Sequence, residues 1–102
     1  MNPIQLNLNA HNRGEFYVED NGQRIALMQI GIADGVMTVY HTEVQPEYEG
    51  QGIAKKMLDN MVQYARTNQL KVIALCPYTY TVFSRHPEKY ADIWIKNIKL
   101  KQ

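Results

Sequence analysis

Val39-Tyr40-His41-Thr42-Glu43-Val44 and then Gly50-Gln51-Gly52-Ile53-Ala54, followed by the run 55–66, decide the fold of this chain. The first segment reads as a strand, the second as a flexible turn and the third as a helix. Ile53, Met57, Met61 and Ala65 recur at four-residue spacing, and Leu58 and Val62 fill the stripe. A turn that leaves a strand and opens a helix is a ready-made anion site. The first N–H groups of a helix have no partners of their own, and the helix dipole places partial positive charge there. Glycines at positions 50 and 52 let the backbone come close to a phosphate. Lys55 and Lys56 fall in the first turn, where positive charge opposes the dipole by about 0.3–1 kcal/mol each unless an anion binds. Glu47 and Glu49 stand nearby and must point away if phosphate binds.

Upstream, the pattern predicts four strands. Ile4, Leu6 and Leu8 alternate with polar residues, 11–14 reads as a turn, and 15–20 carries Phe16 and Val18 on one face. Asn21-Gly22 and Asp34-Gly35 are two-residue hairpin signals, so 15–20, 23–33 and 36–44 form an antiparallel meander that Pro46 ends. Downstream, the helix ends near Thr67-Asn68, and 71–75 reads as a short apolar strand inside the sheet. Residues 79–85 and 87–93 read as short helices, and the tail 95–102 fits either a strand or a frayed helix. The predicted class is α/β (α+β): one domain over 1–102, with a single mixed, mainly antiparallel sheet and a central helix after strand 4.

Composition sets the outer bounds. The chain has 102 residues and a formal net charge of +1, so nothing in it demands a nucleic acid or an acidic membrane. The single cysteine forms no internal disulfide, and no run is long and apolar enough to span a bilayer. A complete, cytoplasmic chain is expected, with a monomer plausible and no metal site.

Several side chains carry possible chemistry. Cys76 ends the strand 71–75, where α/β layers tend to place ligands; it lines a site, acts as a nucleophile, or is a small buried hydrophobe. His41 and Glu43 share one strand face, and either suits a general base for an amine. Tyr78 offers a phenol able to protonate a leaving thiolate, or a half-buried hydrophobe with a wet tip.

These residues resemble the GNAT superfamily of acyl-CoA-dependent N-acetyltransferases. Its signature is a strand, a proline, and Q/R-x-x-G-x-G/A opening a helix. Here Val44-Gln45-Pro46 precedes Glu49-Gly50-Gln51-Gly52-Ile53-Ala54, with Glu49 where the family usually has Gln or Arg. The chain is most similar to the small single-domain members, which carry His-Thr-x-Val, G-x-G-I/L-A and Cys-x-Tyr. His41 to Val44, Gly50 to Ala54 and Cys76-Pro77-Tyr78 match these in order. The chain has no room for the helix pair that helps build the acceptor pocket in larger relatives.

The resemblance implies an acetyl-CoA-dependent N-acetyltransferase acting on an amine, small or on a protein. Coenzyme A would be held by Thr42, Val44, Glu49, Gly50, Gln51, Gly52, Ile53, Ala54 and Lys55. A backbone N–H near Val44 would stabilise the developing oxyanion. The amine would attack the thioester directly, or Cys76 would take the acetyl group first. A coenzyme A-binding module with little turnover is the alternative.

Overall fold

The computed structural model describes residues 2–96. Four antiparallel strands, β1 (Ile4–Leu8), β2 (Arg13–Asp20), β3 (Gln23–Ala33) and β4 (Val36–Val44), lead into a 3₁₀ turn at Pro46–Tyr48 and helix α1 (Ile53–Thr67). Strand β5 (Lys71–Ala74), α2 (Pro77–Arg85) and α3 (Pro87–Tyr90) follow. The sheet order is β1-β2-β3-β4-β5, with only β4 and β5 parallel. The mixed sheet and the helix after strand 4 are those the sequence predicts. Both hairpins turn on left-handed pairs, Asn21-Gly22 and Asp34-Gly35, whose twist matches that of the strands.

One face of the sheet carries the core. Phe16, Val18, Met28, Ile30, Met37 and Val39 point to it and meet Ile53, Met57, Leu58, Met61, Val62 and Ala65 of α1. Burying each such large side chain contributes about 1.5–3 kcal/mol. Phe83 of α2 stacks on Tyr90 of α3 at 4.3 Å and extends this layer. Among the described residues, no helix is long and apolar enough to cross a membrane.

Three expectations change at the edges. Strand β2 begins at Arg13, so part of the expected 11–14 turn is already paired, Arg13 with Gly31. Strand β5 lies at the end of the strand order and not inside the sheet; its outer side is covered by the segment after α3, through Val72 N–H to Ile93 O and Ile95 N–H to Val72 O. That cover explains its apolar sequence. Helix α3 stops at Tyr90, because the chain must turn there to bring Trp94 beside Val72. Of the tail, 97–102 lies outside the described residues.

The feature that positions the site is a β-bulge in β4. Ile30 pairs with Val39 and Gln29 with His41, so Tyr40 is an extra residue. Strict alternation from Met37 and Val39 would have turned His41 and Glu43 into the core. The inserted residue shifts the phase: Thr42 and Val44 face the helices, while His41 and Glu43 stay exposed on the opposite face.

Candidate active site

Strands β4 and β5 part company just after the bulge. Their pairing ends at Val39 with Ala74, and the N–H groups of Leu75 and Cys76 both bond the Val39 carbonyl, at 3.0 and 2.9 Å. Residues 41–44 therefore have a ladder partner on the β3 side only. Gln45 donates its N–H to Ile25 of β3. Backbone groups alternate sides along a strand, so the N–H groups of Val44 and Thr42 point the other way, toward the open edge.

The open edge borders a cleft of about 460 Å³. Thr42, Val44, Gly50, Gly52, Lys55 and Tyr78 are among the residues that line it. Gly50 (φ 83°) and Gly52 (φ 79°) are left-handed, a conformation that side chains rarely adopt, and a Cβ on either would meet only open space. Gly52 is the N-cap of α1 with no side-chain cap, and no acidic residue follows in the first turn. The first helical bond runs from Lys56 N–H to Gly52 O. The N–H groups of Ile53, Ala54 and Lys55 are thus left without helical partners at the cleft, the arrangement that binds anions. Lys55 lines the same wall, its ammonium held by Asp59 at 2.8 and 3.1 Å, which raises its pKa.

The turn before the glycines is anchored from the other side. Tyr48 donates its hydroxyl to Asp20 at 2.9 Å, and this hydrogen bond raises the Tyr48 pKa. The Gln45 side chain donates to the Arg24 carbonyl at 2.9 Å. Two of the cradle positions expected from the resemblance differ in what they offer. The Glu49 N–H already bonds Pro46 O at 3.3 Å, and Gln51 does not line the cleft but borders a smaller depression beside Asp20 and Tyr48. Glu47 and Glu49 are both exposed.

The side chains singled out for chemistry occupy three depths. Tyr78, in the first turn of α2, lines the cleft, and burial raises its pKa, which keeps the phenol protonated. Cys76 sits beneath it, 1% exposed and outside the cleft wall, and its thiol donates to the Thr42 hydroxyl at 3.3 Å. Burial pushes that thiol up, but the hydrogen bonds that the Thr42 hydroxyl and the Thr79 and Tyr78 N–H groups can donate to the thiolate outweigh it and bring the pKa below the ordinary value. The buried Thr79 hydroxyl has no hydrogen-bond partner among the described residues. His41 and Glu43 are exposed on the β4 edge, with Nε2 3.2 Å from Oε2; Glu43 borders the cleft and His41 lies outside its wall. Tyr48 and the bulge residue Tyr40 are the positions that sequence reasoning missed. Only a change of phase, from Met37 and Val39 to Val44, marked the bulge. No group of three or more metal-ligating side chains occurs among the described residues.

Comparison with known proteins converges on this architecture. The NMR structure of a GCN5-like N-acetyltransferase of unproven activity from Staphylococcus aureus superposes with a TM-score of 0.66, at 27% identity, over 100% of this chain and 95% of that one. The ribosomal-protein-S18-alanine N-acetyltransferase of Escherichia coli matches with a TM-score of 0.57 at 17% identity, over 63% of this chain; the match spans only 42% of the E. coli enzyme. An aminoglycoside N-acetyltransferase solved in complex with CoA matches at 0.53 and 13% identity, over 91% of this chain and 72% of that one. No curated protein matches significantly. The model of the GCN5-related N-acetyltransferase family matches residues 13–93, from the first residue of β2 through the cleft to the segment covering β5, and the chain belongs to that family.

Proposed function

We propose that this protein transfers an acetyl group from acetyl-CoA to an amine. The observation that carries this reading is the junction of two unsatisfied backbone surfaces at one cleft: the open edge of β4 and the uncapped start of α1. A neighbour solved with CoA shares the fold and supports the choice of ligand.

When bound, acetyl-CoA supplies an activated acyl thioester. The N–H groups of Ile53, Ala54 and Lys55, approached across Gly50 and Gly52, hold its pyrophosphate. The outward backbone groups of Thr42 and Val44 pair with its amide-bearing arm as an added strand would. The Val44 N–H donates to the acyl oxygen as negative charge develops. The amine arrives from the opposite face, where the Glu43–His41 pair accepts its proton. The C–N bond forms, the C–S bond breaks, and the Tyr78 phenol donates a proton to the departing sulfur.

An amide NMR titration tests this directly. Acetyl-CoA is expected to shift the 41–44 and 50–55 amides, and ATP, as control, to leave them in place. No shift with acetyl-CoA would leave the glycine turn purely structural. Binding without transfer across a broad amine panel would instead make the protein a coenzyme A-binding module. Tyr48→Phe removes the hydrogen bond that anchors the turn and keeps the ring that borders the cleft. It is expected to raise the acetyl-CoA Kd about tenfold, the scale of one hydrogen bond to a charged partner. Calorimetry measures this, and an unchanged Kd would show that the turn holds its shape without Asp20.

The lowered Cys76 pKa favours one second reading, in which the thiolate takes the acetyl group before the amine does. Incubation with acetyl-CoA alone separates the two. Direct attack gives no adduct, whereas the second reading gives a mass gain of one acetyl group that Cys76→Ala abolishes. In either case Cys76→Ala is expected to keep acetyl-CoA binding and reduce transfer, because Thr42 loses the thiol that positions it. Full activity in that variant would remove Cys76 from the chemistry.

A further inference from the structure

The sheet face opposite α1 carries a built depression that the reading above does not use. Its volume is about 470 Å³, within the range of small-molecule sites, and its walls include Arg13, Glu15, Gln29 and Tyr40. Strand register ties it to the reaction. Glu15 pairs with Gln29 and Gln29 with His41, so three cross-strand neighbours run from the depression to the imidazole–carboxylate pair. Tyr40, 40% exposed, is the bulge residue next to His41. Its ring lies over Gly31, where a Cβ would stand 3.3 Å from the ring and 3.5 Å from the Arg13 side chain. The absence of a side chain there is what lets both groups lie together on the sheet.

Charge on this face is uneven. Glu15 is ion-paired with Arg24, whose guanidinium also covers the Tyr17 ring at 3.9 Å. Arg13, 5.9 Å from the Tyr40 ring, makes no side-chain ion pair or hydrogen bond among the described residues. The depression therefore presents one uncompensated guanidinium at one end, an aromatic ring in the middle, and the Glu43–His41 pair beyond the other end. Arg13 and His41 are two strands apart and offset by two residues along the strand, roughly 12 Å at the backbone.

We propose that this face binds the acceptor, and that the acceptor is a small linear zwitterion with a primary amine at one end and a carboxylate at the other. The inference rests on the acetyltransferase reading. Arg13 takes the carboxylate through its planar fork, Tyr40 covers the connecting chain, and the amine reaches His41 and Glu43 at the gap. Arg13 is a specificity residue and takes no part in the acetyl transfer itself.

Three acceptors of one length test it: 6-aminohexanoate, hexylamine and 1,6-diaminohexane, which share an amine and differ in the sign of the far end. With acetyl-CoA saturating, 6-aminohexanoate is expected to show a KM about tenfold below the other two. Arg13→Gln is expected to bring all three to within about twofold of one another, as loss of one charge-assisted contact requires. Equal KM values in the original protein, or a preference that survives Arg13→Gln, would overturn the proposal. If no acceptor turns over, the Arg13 side-chain N–H is followed by NMR in the acetyl-CoA-saturated protein. A shift with 6-aminohexanoate and none with hexylamine supports the site, and no shift overturns it. The 50–55 amides in the same spectra report acetyl-CoA binding separately, so failure of this inference and failure of the acetyltransferase reading give different results.

Discussion

Gly52→Val is expected to abolish acetyl-CoA binding while leaving a folded protein. Gly52 has φ 79°, a conformation that costs a β-branched residue about 1–3 kcal/mol. A Cβ there meets no protein atom within 4 Å, so the substitution creates no clash inside the fold. The side chain projects into the space that the ligand must occupy, and relief of the strained φ turns the Ile53 and Ala54 N–H groups away. Losing two charge-assisted hydrogen bonds corresponds to at least about a hundredfold in Kd. Calorimetry with acetyl-CoA reads the affinity and a thermal melt reads the fold. Gly52→Ala, with less bulk at the same φ, is expected to lie between the two. An unchanged Kd in a folded Gly52→Val protein would remove the α1 N-terminus from ligand binding.

That prediction draws on a part of the molecule that was legible before any coordinates. Gly50, Gly52 and the stripe from Ile53 to Ala65 are local signals, and local signals survive translation into structure. Asn21-Gly22 and Asp34-Gly35 did so for the same reason: left-handed pairs at these turns leave the strands little choice of register. What was not legible depends on separation along the chain. The Tyr48–Asp20 hydrogen bond joins residues 28 apart, and Arg13 meets Tyr40 across three strands. No periodicity announces such pairs.

The bulge is an intermediate case. His41 and Glu43 were correctly read as sharing a face, but the sequence did not say which face, because one inserted residue reverses the answer. It also could not say that the Glu49 N–H is consumed by the 3₁₀ turn, since that depends on how tightly Pro46–Tyr48 winds. The placement of β5 failed for a related reason. An apolar strand needs cover on its outer side, and the sequence does not distinguish a sixth strand from the returning segment around Trp94.

Val44→Pro is expected to cut kcat by about 10²–10³, the effect of removing one oxyanion donor, while acetyl-CoA affinity falls far less. The case rests on which side of β4 each backbone group faces. Gln45 N–H bonds Ile25 O, so Val44 N–H points to the open edge and contributes nothing to the β3 ladder. Proline lacks that one donor and leaves the ladder intact, as it does on natural edge strands. The residue it constrains, Glu43, is already extended within β4. Val44→Ala is the control, since it keeps the N–H and alters only the half-buried side chain. Single-turnover rates at saturating acetyl-CoA separate chemistry from binding. A Val44→Pro protein with the rate of Val44→Ala would assign the oxyanion to another donor, and the outward N–H of Thr42 on the same edge would be the next to test.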